Sequence, residues 1–385
     1  MAPDQTFRLG RSLPFLTKPT PFRTSAMTFY PFDDGAPYPR DQWYIAAWST
    51  ELGPTPLGRT ILGEPVVMYR AADGDPVALS GVCPHRWMPL AKGRVVDDFL
   101  VCPYHGMRFD RLGRCHSAPA QERAPPSCRL NRYPLIERAP CLWIWPGAPE
   151  LADPAAIPDG RLVGLGAVDW RQDLAIAIPV KARAQLLLEN LFNESHIPQV
   201  HALSLPAPVQ QNFQSEARVE ESIDRFAVIR TRRVAPTDDS MRTAFPKVGA
   251  FFVSELYTEL FGVSLVNSVG SHTFDAAPDG AKGVCVGRMN FIHGITPETP
   301  NTTHYFTAIT RDFSRDDDAI SAALCEHNAR VAQEDVSTLE AIEPYLCSHA
   351  DARREINLAS DVMAVRVRNR IRELIRAEAA PRTTV

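Results

Sequence analysis

Cys83-Pro84-His85 and Cys102-Pro103-Tyr104-His105, separated by residues 86–101, are the stretch from which the rest of the chain can be read. They bring two thiols and two imidazoles into two short segments. A Pro follows each Cys, and Gly106 follows the last His, so both segments read as turns. Flanking them are short apolar runs: Trp43 to Ala47, Pro65 to Tyr69, Val77 to Leu79, Phe99 to Val101 and Cys141 to Trp145. Runs of that length between turn signals predict short strands. Ala72-Asp73-Gly74-Asp75 and Asp110-Arg111-Leu112-Gly113 read as the turns between them. Donor-bearing loops at the tips of hairpins are what a metal site needs.

Two metal sites use Cys and His in pairs. Structural zinc takes four such ligands in a tetrahedron, commonly as two Cys followed by two His. Here each loop carries one of each, so one Cys and one His from each loop can reach different irons. That is the mixed ligation of a Rieske [2Fe-2S] cluster, with two Cys on one iron and two His on the other. Cys83, His85, Cys102 and His105 are therefore the expected cluster ligands, and electron transfer the expected chemistry. At these residues the chain resembles the Rieske non-haem iron oxygenases, whose CxH and CxxH motifs are matched position by position. The resemblance implies an α+β protein, an all-β Rieske domain followed by a helix-grip catalytic domain with an antiparallel sheet and long C-terminal helices.

Length and composition agree with two domains. The chain has 385 residues, 45% hydrophobic and 22% charged, as in ordinary globular proteins. The division expected is 1–38 for an N-terminal arm, 39–148 for the Rieske domain and 149–385 for the catalytic domain, with the Pro- and Ala-rich residues 146–160 between the two. A net charge of −4 gives no reason to expect nucleic acid or an anionic membrane as a partner, and no apolar run has the length of a membrane span. Eight Cys without framework spacing suit a reducing compartment, so a cytoplasmic location is expected. The first 25 residues carry Arg8, Arg11, Lys18 and Arg23 against one acid, Asp4, but their prolines argue against an amphipathic targeting helix.

The second half begins with a helical signal from about Lys181 to Ile197, continues through alternating segments between residues 223 and 310, and ends in two helical stretches, about Ser314 to Tyr345 and Asp361 to Ala377. Within the first helix, Asn190, Asn193 and His196 recur every three residues and predict a polar stripe. His196 and His201 are five apart, too far round an ideal helix to share a face. Pro198 should break the helix after His196 and let His201 turn back.

By the resemblance, His196 and His201 are two ligands of a mononuclear Fe(II), and a carboxylate completes a triad that leaves positions open. Glu334, Asp335, Glu340 and Glu343 are candidates that spacing alone does not separate. The segment 334–343 resembles the late helix of the vanillate and dicamba O-demethylase group, which implies Asp335. The same resemblance makes Asn193 a departure: members usually carry an Asp there, bridging an iron-ligand His to a cluster His of the neighbouring subunit. Asn can accept one such bond but brings no charge, so a rearranged electron-transfer bridge near Asn190 and Asn193 is expected.

The segments 295–299, 303–306 and 311–313 also resemble that group. This implies a terminal oxygenase using O2 to oxidise a small aromatic acid, most simply by O-demethylation, in a homotrimer. Methyl or ring hydroxylation is the alternative, and an electron carrier or binding protein without the second iron is the rival of another class. His272 and His293 fall near substrate-contact positions, and Glu326 where a substrate-facing Trp is found. No dinucleotide fingerprint occurs, so NAD(P)H electrons must come through a separate reductase or ferredoxin, with Arg86, Trp87 and Met88 as candidate contacts.

Overall fold

The computed structural model describes residues 32, 36–118, 121, 124–175, 177–205, 216–349 and 355–380. Nearly all of the expected N-terminal arm lies outside them. The first part of the described chain is built of three small antiparallel sheets. Tyr44–Trp48, Leu135–Arg138 and Cys141–Ile144 form one; Leu57–Ile61, Glu64–Arg70, Pro76–Ser80 and Arg132–Tyr133 a second; Arg94–Val96, Phe99–Val101, Arg108–Phe109 and Cys115–Ser117 the third. The expected strands are all present within a residue or two. Asp97 and Asp98 both have positive φ, which gives the two-residue turn that matches the twist of a tight hairpin.

The second part is a nine-stranded antiparallel sheet, in which the long strands Phe251–Phe261, Leu265–Ala276, Lys282–Thr299 and Thr302–Arg311 are consecutive neighbours. Against it lie a ligand helix (Ala184–Phe192), a long helix (Asp318–His349) and a terminal helix (Val362–Ala379). Strands in sheets followed by long helices make the protein α+β, as expected. Among the described residues no helix is long and apolar enough to cross a membrane.

One apolar core joins both parts. Tyr44, Ile61, Met68 and Leu142 cluster with Leu187, Leu188, Leu191 and Phe192 of the ligand helix, and with Val336, Leu339, Val367 and Ile371 of the two C-terminal helices. The ligand helix is thus clamped on several sides, and truncating a fully buried residue such as Leu187 would cost about 2–5 kcal/mol.

The break in this helix differs from expectation. It ends at Phe192, not after His196, because Asn193 leaves the helical region (φ −113°, ψ 88°) and its side chain caps the next turn by accepting from Ser195 N at 3.1 Å. Pro198 does not break anything. It sits in the first turn of a short helix, Ile197–Val200, where its missing N–H costs nothing. The Asn190–Asn193–His196 stripe is accordingly interrupted.

Candidate metal centres and substrate cavity

The two Cys–His loops share one backbone plan. Cys83 N donates to Met88 O at 2.9 Å and Trp87 N to Cys83 O at 3.0 Å; Cys102 N donates to Met107 O at 2.8 Å and Gly106 N to Cys102 O at 3.0 Å. The same hydrogen bonds close both loops, and Trp87 (φ 59°), four residues after its Cys, occupies the left-handed position that Gly106 (φ 72°) fills in the other. Cys83 and Cys102 are buried, His85 and His105 are exposed, and the two imidazole rings lie 4.6 Å apart. This donor set fits the cluster: burial pushes the Cys83 thiol up to about 11, so a bound cation is needed to hold it as thiolate.

The second centre forms where the ligand helix unwinds. His196 and His201 stand at the two ends of the Ile197–Val200 turn, and Asp335 comes from the long helix. One potential ligand atom from each lies within 4.8 Å of the others. Asp335 Oδ1 is 3.3 Å from His196 Nε2 and 3.2 Å from His201 Nε2. Burial works to raise the Asp335 pKa, but the two imidazoles outweigh it and hold the carboxyl well below its usual range. For His201 burial works downward and is outweighed by Asp335 and Glu334, so its pKa is raised. Behind each ring the other nitrogen is tied: His201 Nδ1 to Glu334 Oε2 at 2.7 Å, and His196 Nδ1 to the Asn193 carbonyl at 2.5 Å. Partners on Nδ1 leave Nε2 for a metal, the usual support of a metal-binding His.

The four candidate acids of the late helix separate by what they touch. Asp335 faces the histidines and Glu334 backs His201. Glu340 accepts from Lys181 N at 2.8 Å, and Glu343 pairs with Arg183 at 2.6 Å in a buried ion pair. Asn193 reaches the centre through its main chain. Its side-chain oxygen is taken by Ser195 N and by Ser195 Oγ at 2.6 Å, and its Nδ2 donates to Asp361 Oδ1 at 2.6 Å. The contact to His196 is made by its main chain.

Over this centre lies a cavity of about 130 Å³, close to the 150 Å³ or so that holds a benzene ring. Asn190, Glu194, Phe291, His293, His327 and Asn328 are among its lining residues, with the three candidate ligands. Ser268 and Val269 reach it from a bulge in strand Leu265–Ala276, where Val269 takes φ 54° and pairing is lost between Asn267 and Ser271. Bulges often re-aim residues beside active sites. Gly270 is required there, since a Cβ would fall 2.4 Å from Asn267 Nδ2.

His293 is brought to the site. It is buried, its Nδ1 is 2.6 Å from the Tyr305 hydroxyl, and burial pushes its pKa down to about 4. His272 is not among the lining residues; it packs on the Tyr257 ring at 4.3 Å. Glu326 likewise points elsewhere, exposed and paired with Arg330 at 3.1 Å, while the next residue, His327, lines the cavity. Glu194, Tyr305, His327 and Asn328 were not legible as site residues. The last two precede Asp335 by eight and seven residues, a two-turn helical spacing that would have pointed to them.

Comparison with known proteins supplies the rest. The Rieske [2Fe-2S] domain family matches residues 42–134, and the vanillate O-demethylase oxygenase C-terminal domain family matches residues 180–377. Over 355 residues the chain is 32% identical to the dicamba O-demethylase oxygenase component of Stenotrophomonas maltophilia, covering 89% of this chain and 99% of that one. It is 31% identical to the putative toluene-4-sulfonate monooxygenase iron-sulfur subunit of Comamonas testosteroni, covering 88% and 97%. The crystal structure of dicamba monooxygenase bound to dicamba superposes with a TM-score of 0.76 at 32% identity, over 89% of this chain and 99% of that chain.

Proposed function

The chain belongs to the Rieske non-haem iron oxygenases of the vanillate O-demethylase type, and from that premise we propose that it removes the methyl group from a methoxylated single-ring aromatic compound. It is the terminal oxygenase component of such a system, carrying a Rieske [2Fe-2S] cluster and a mononuclear iron. The observation that carries the substrate reading is the ring-sized cavity set directly over His196, His201 and Asp335.

We assign the cluster to Cys83, His85, Cys102 and His105, and the single iron to His196, His201 and Asp335. When bound, the iron supplies O2 activation beside the substrate, with electrons drawn from the cluster. The protein's own work is positional. Asn193 and Glu334 fix the two ligand imidazoles, Phe291 and Val269 give the ring apolar walls, and Asn190 and His293 offer polar contacts that orient it. Because His85 and His105 are exposed while both Cys are buried, the His end of the cluster is the one open to exchange. This supports electron delivery to a neighbouring copy in a homotrimer, with a separate reductase or ferredoxin loading the cluster. The small aromatic acid implied by resemblance meets a cavity whose described lining contains no Lys or Arg.

Hydroxylation of a ring methyl is a second reading, favoured by the similarity to the toluene-4-sulfonate monooxygenase subunit. Supplying a generic ferredoxin and reductase with paired methoxy- and methyl-arenes, and measuring formaldehyde against benzylic alcohol, separates the two. Formaldehyde in step with O2 consumption supports demethylation. Benzylic alcohol alone would replace it, and an iron content near two per chain, not about three, would remove the oxygenase assignment.

A further inference from the structure

Four buried polar atoms without a hydrogen-bond partner belong to residues lining the same cavity: Asn190 Nδ2, Glu194 Oε2, His293 Nε2 and Asp335 Oδ1. Asp335 Oδ1 has its use beside the two ligand imidazoles. Asn190 and His293 have only the general orienting role given above and Glu194 Oε2 has none, and buried polar atoms are rarely left unpaired without a reason.

Their polarity can be read. Glu194 has a side chain only 8% exposed; Oε1 accepts from Arg230 Nε at 3.2 Å and Oε2 is left over. In this ion pair with Arg230 the carboxylate is acceptor-only. For His293, the partner on Nδ1 is the fully buried Tyr305 hydroxyl, which has no other acceptor among the described residues, so we read it as donating its single proton there. Nε2 then carries the hydrogen and is a donor, as is Asn190 Nδ2. Residues lining the cavity thus carry two neutral donors and one carboxylate acceptor that are left unpaired. His327 is the remaining titratable base in the lining, and no Lys or Arg joins it among the described residues.

We propose that Glu194 sets the substrate class, selecting neutral aromatics that bear an O–H or N–H donor, such as methoxyphenols, over aromatic carboxylates. A ring hydroxyl would give Glu194 Oε2 its missing proton, while a ring oxygen accepts from His293 or Asn190. A carboxylate in the same small space would meet a second carboxylate where charge repulsion is poorly screened. The choice of methoxylated probes rests on the O-demethylase reading; the recognition rule itself does not need turnover.

The test is binding to the full-length, iron-loaded protein by titration calorimetry, using 2-methoxyphenol, 2-methoxybenzoate and 1,2-dimethoxybenzene. The wild type should bind the phenol at least about tenfold more tightly than either of the others, the scale of one hydrogen bond to a charged group. Glu194→Gln, with iron content and circular dichroism unchanged, should strengthen benzoate binding about tenfold and shrink the preference. A wild type that binds the benzoate as tightly as the phenol, or an E194Q variant that leaves the ratio within about twofold, overturns the proposal; if E194Q does not fold, the wild-type comparison decides alone. Formaldehyde release is scored separately. Phenol-selective binding without formaldehyde leaves the rule and removes demethylation, formaldehyde with benzoate-selective binding does the reverse, and no binding of any probe overturns both.

Discussion

His201 Nδ1 lies 2.7 Å from Glu334 Oε2, so the imidazole that meets Asp335 on one side is held on the other by the residue immediately before Asp335. Adjacent acids on one helix grip the same ring from two directions. Ser204 Oγ donates to the second oxygen of Glu334, so the carboxylate is itself fixed. Replacing Glu334 by Ala should leave the fold intact and weaken iron binding about 10- to 100-fold, the usual cost of losing such a partner. Competition with a chelator would read this directly. Unchanged iron affinity would mean that Glu334 does not orient the ligand.

The Asn193–Asp361 contact makes a second expectation. At 2.6 Å, Asn193 Nδ2 satisfies a carboxylate that sits where a second carboxylate could not. Asn193→Asp, which introduces the residue that the resemblance implies, would place two acids in contact, with one pushed to hold a proton. Reduced thermal stability and slower single-turnover product formation are expected from N193D alone. The double variant Asn193→Asp with Asp361→Asn should recover much of both. If N193D alone is as stable as the wild type, the two side chains are not coupled.

The first half of the fold was readable because its information is local. Each proposed cluster ligand lies in a short turn between strands, and residues such as Gly106 mark the turn in the sequence itself. The second centre was less legible, for a physical reason. His196, His201 and Asp335 meet through a helix break made by the Asn193 cap, and no periodicity shows which of four nearby acids turns inward. Strand Leu265–Ala276 escaped the alternation rule because Val269 and Gly270 form a bulge inside it. Glu194 carries no signal of its own in the sequence, and only the packing of Arg230 against it reveals a buried acid.

Arg183 and Glu343 couple the ligand helix to the helix that carries Asp335. Glu343 accepts from Arg183 N at 3.0 Å and from its guanidinium at 2.6 Å, with both side chains buried. Breaking such a pair strands a buried charge and costs about 3–5 kcal/mol. Glu343→Ala should lower the unfolding free energy in urea by that order and also loosen iron, since one helix carries Asp335 and the other leads into the turn that bears His196 and His201. A loss under about 1 kcal/mol would show that the pair is solvated in solution.

Acidification should destabilise the protein through His272. Burial, then the nearby Arg288, push its pKa down to about 4 from an ordinary value near 6.5. The unfolded chain therefore binds more protons than the native one between those values, so stability is complete above about pH 6.5 and falls as pH drops toward 4. The limit is about 3 kcal/mol for a fully buried group, and less here because the ring is partly exposed. His272→Phe keeps the packing on Tyr257 and should flatten the pH dependence of urea unfolding in that window. An unaltered slope would refute the assignment.

Trp87 and Gly106 occupy equivalent places in the two cluster loops, and only one of them suits its backbone. Gly106 meets φ 72° without strain, whereas Trp87 holds φ 59° with a bulky side chain 82% exposed. A left-handed conformation costs an L-residue about 1–2 kcal/mol, and strain of this kind persists where a site needs it. The two positions should respond oppositely to substitution. Gly106→Ala should destabilise the loop by about 1 kcal/mol and lower the visible absorbance per chain as the cluster is lost. Trp87→Gly should relieve strain and retain the cluster, yet slow reduction of the cluster by a ferredoxin, because the exposed indole is removed beside His85. If W87G is reduced at the wild-type rate and gains no stability, the strained Trp is neither a contact surface nor a stored cost, and its conformation is set by the loop alone.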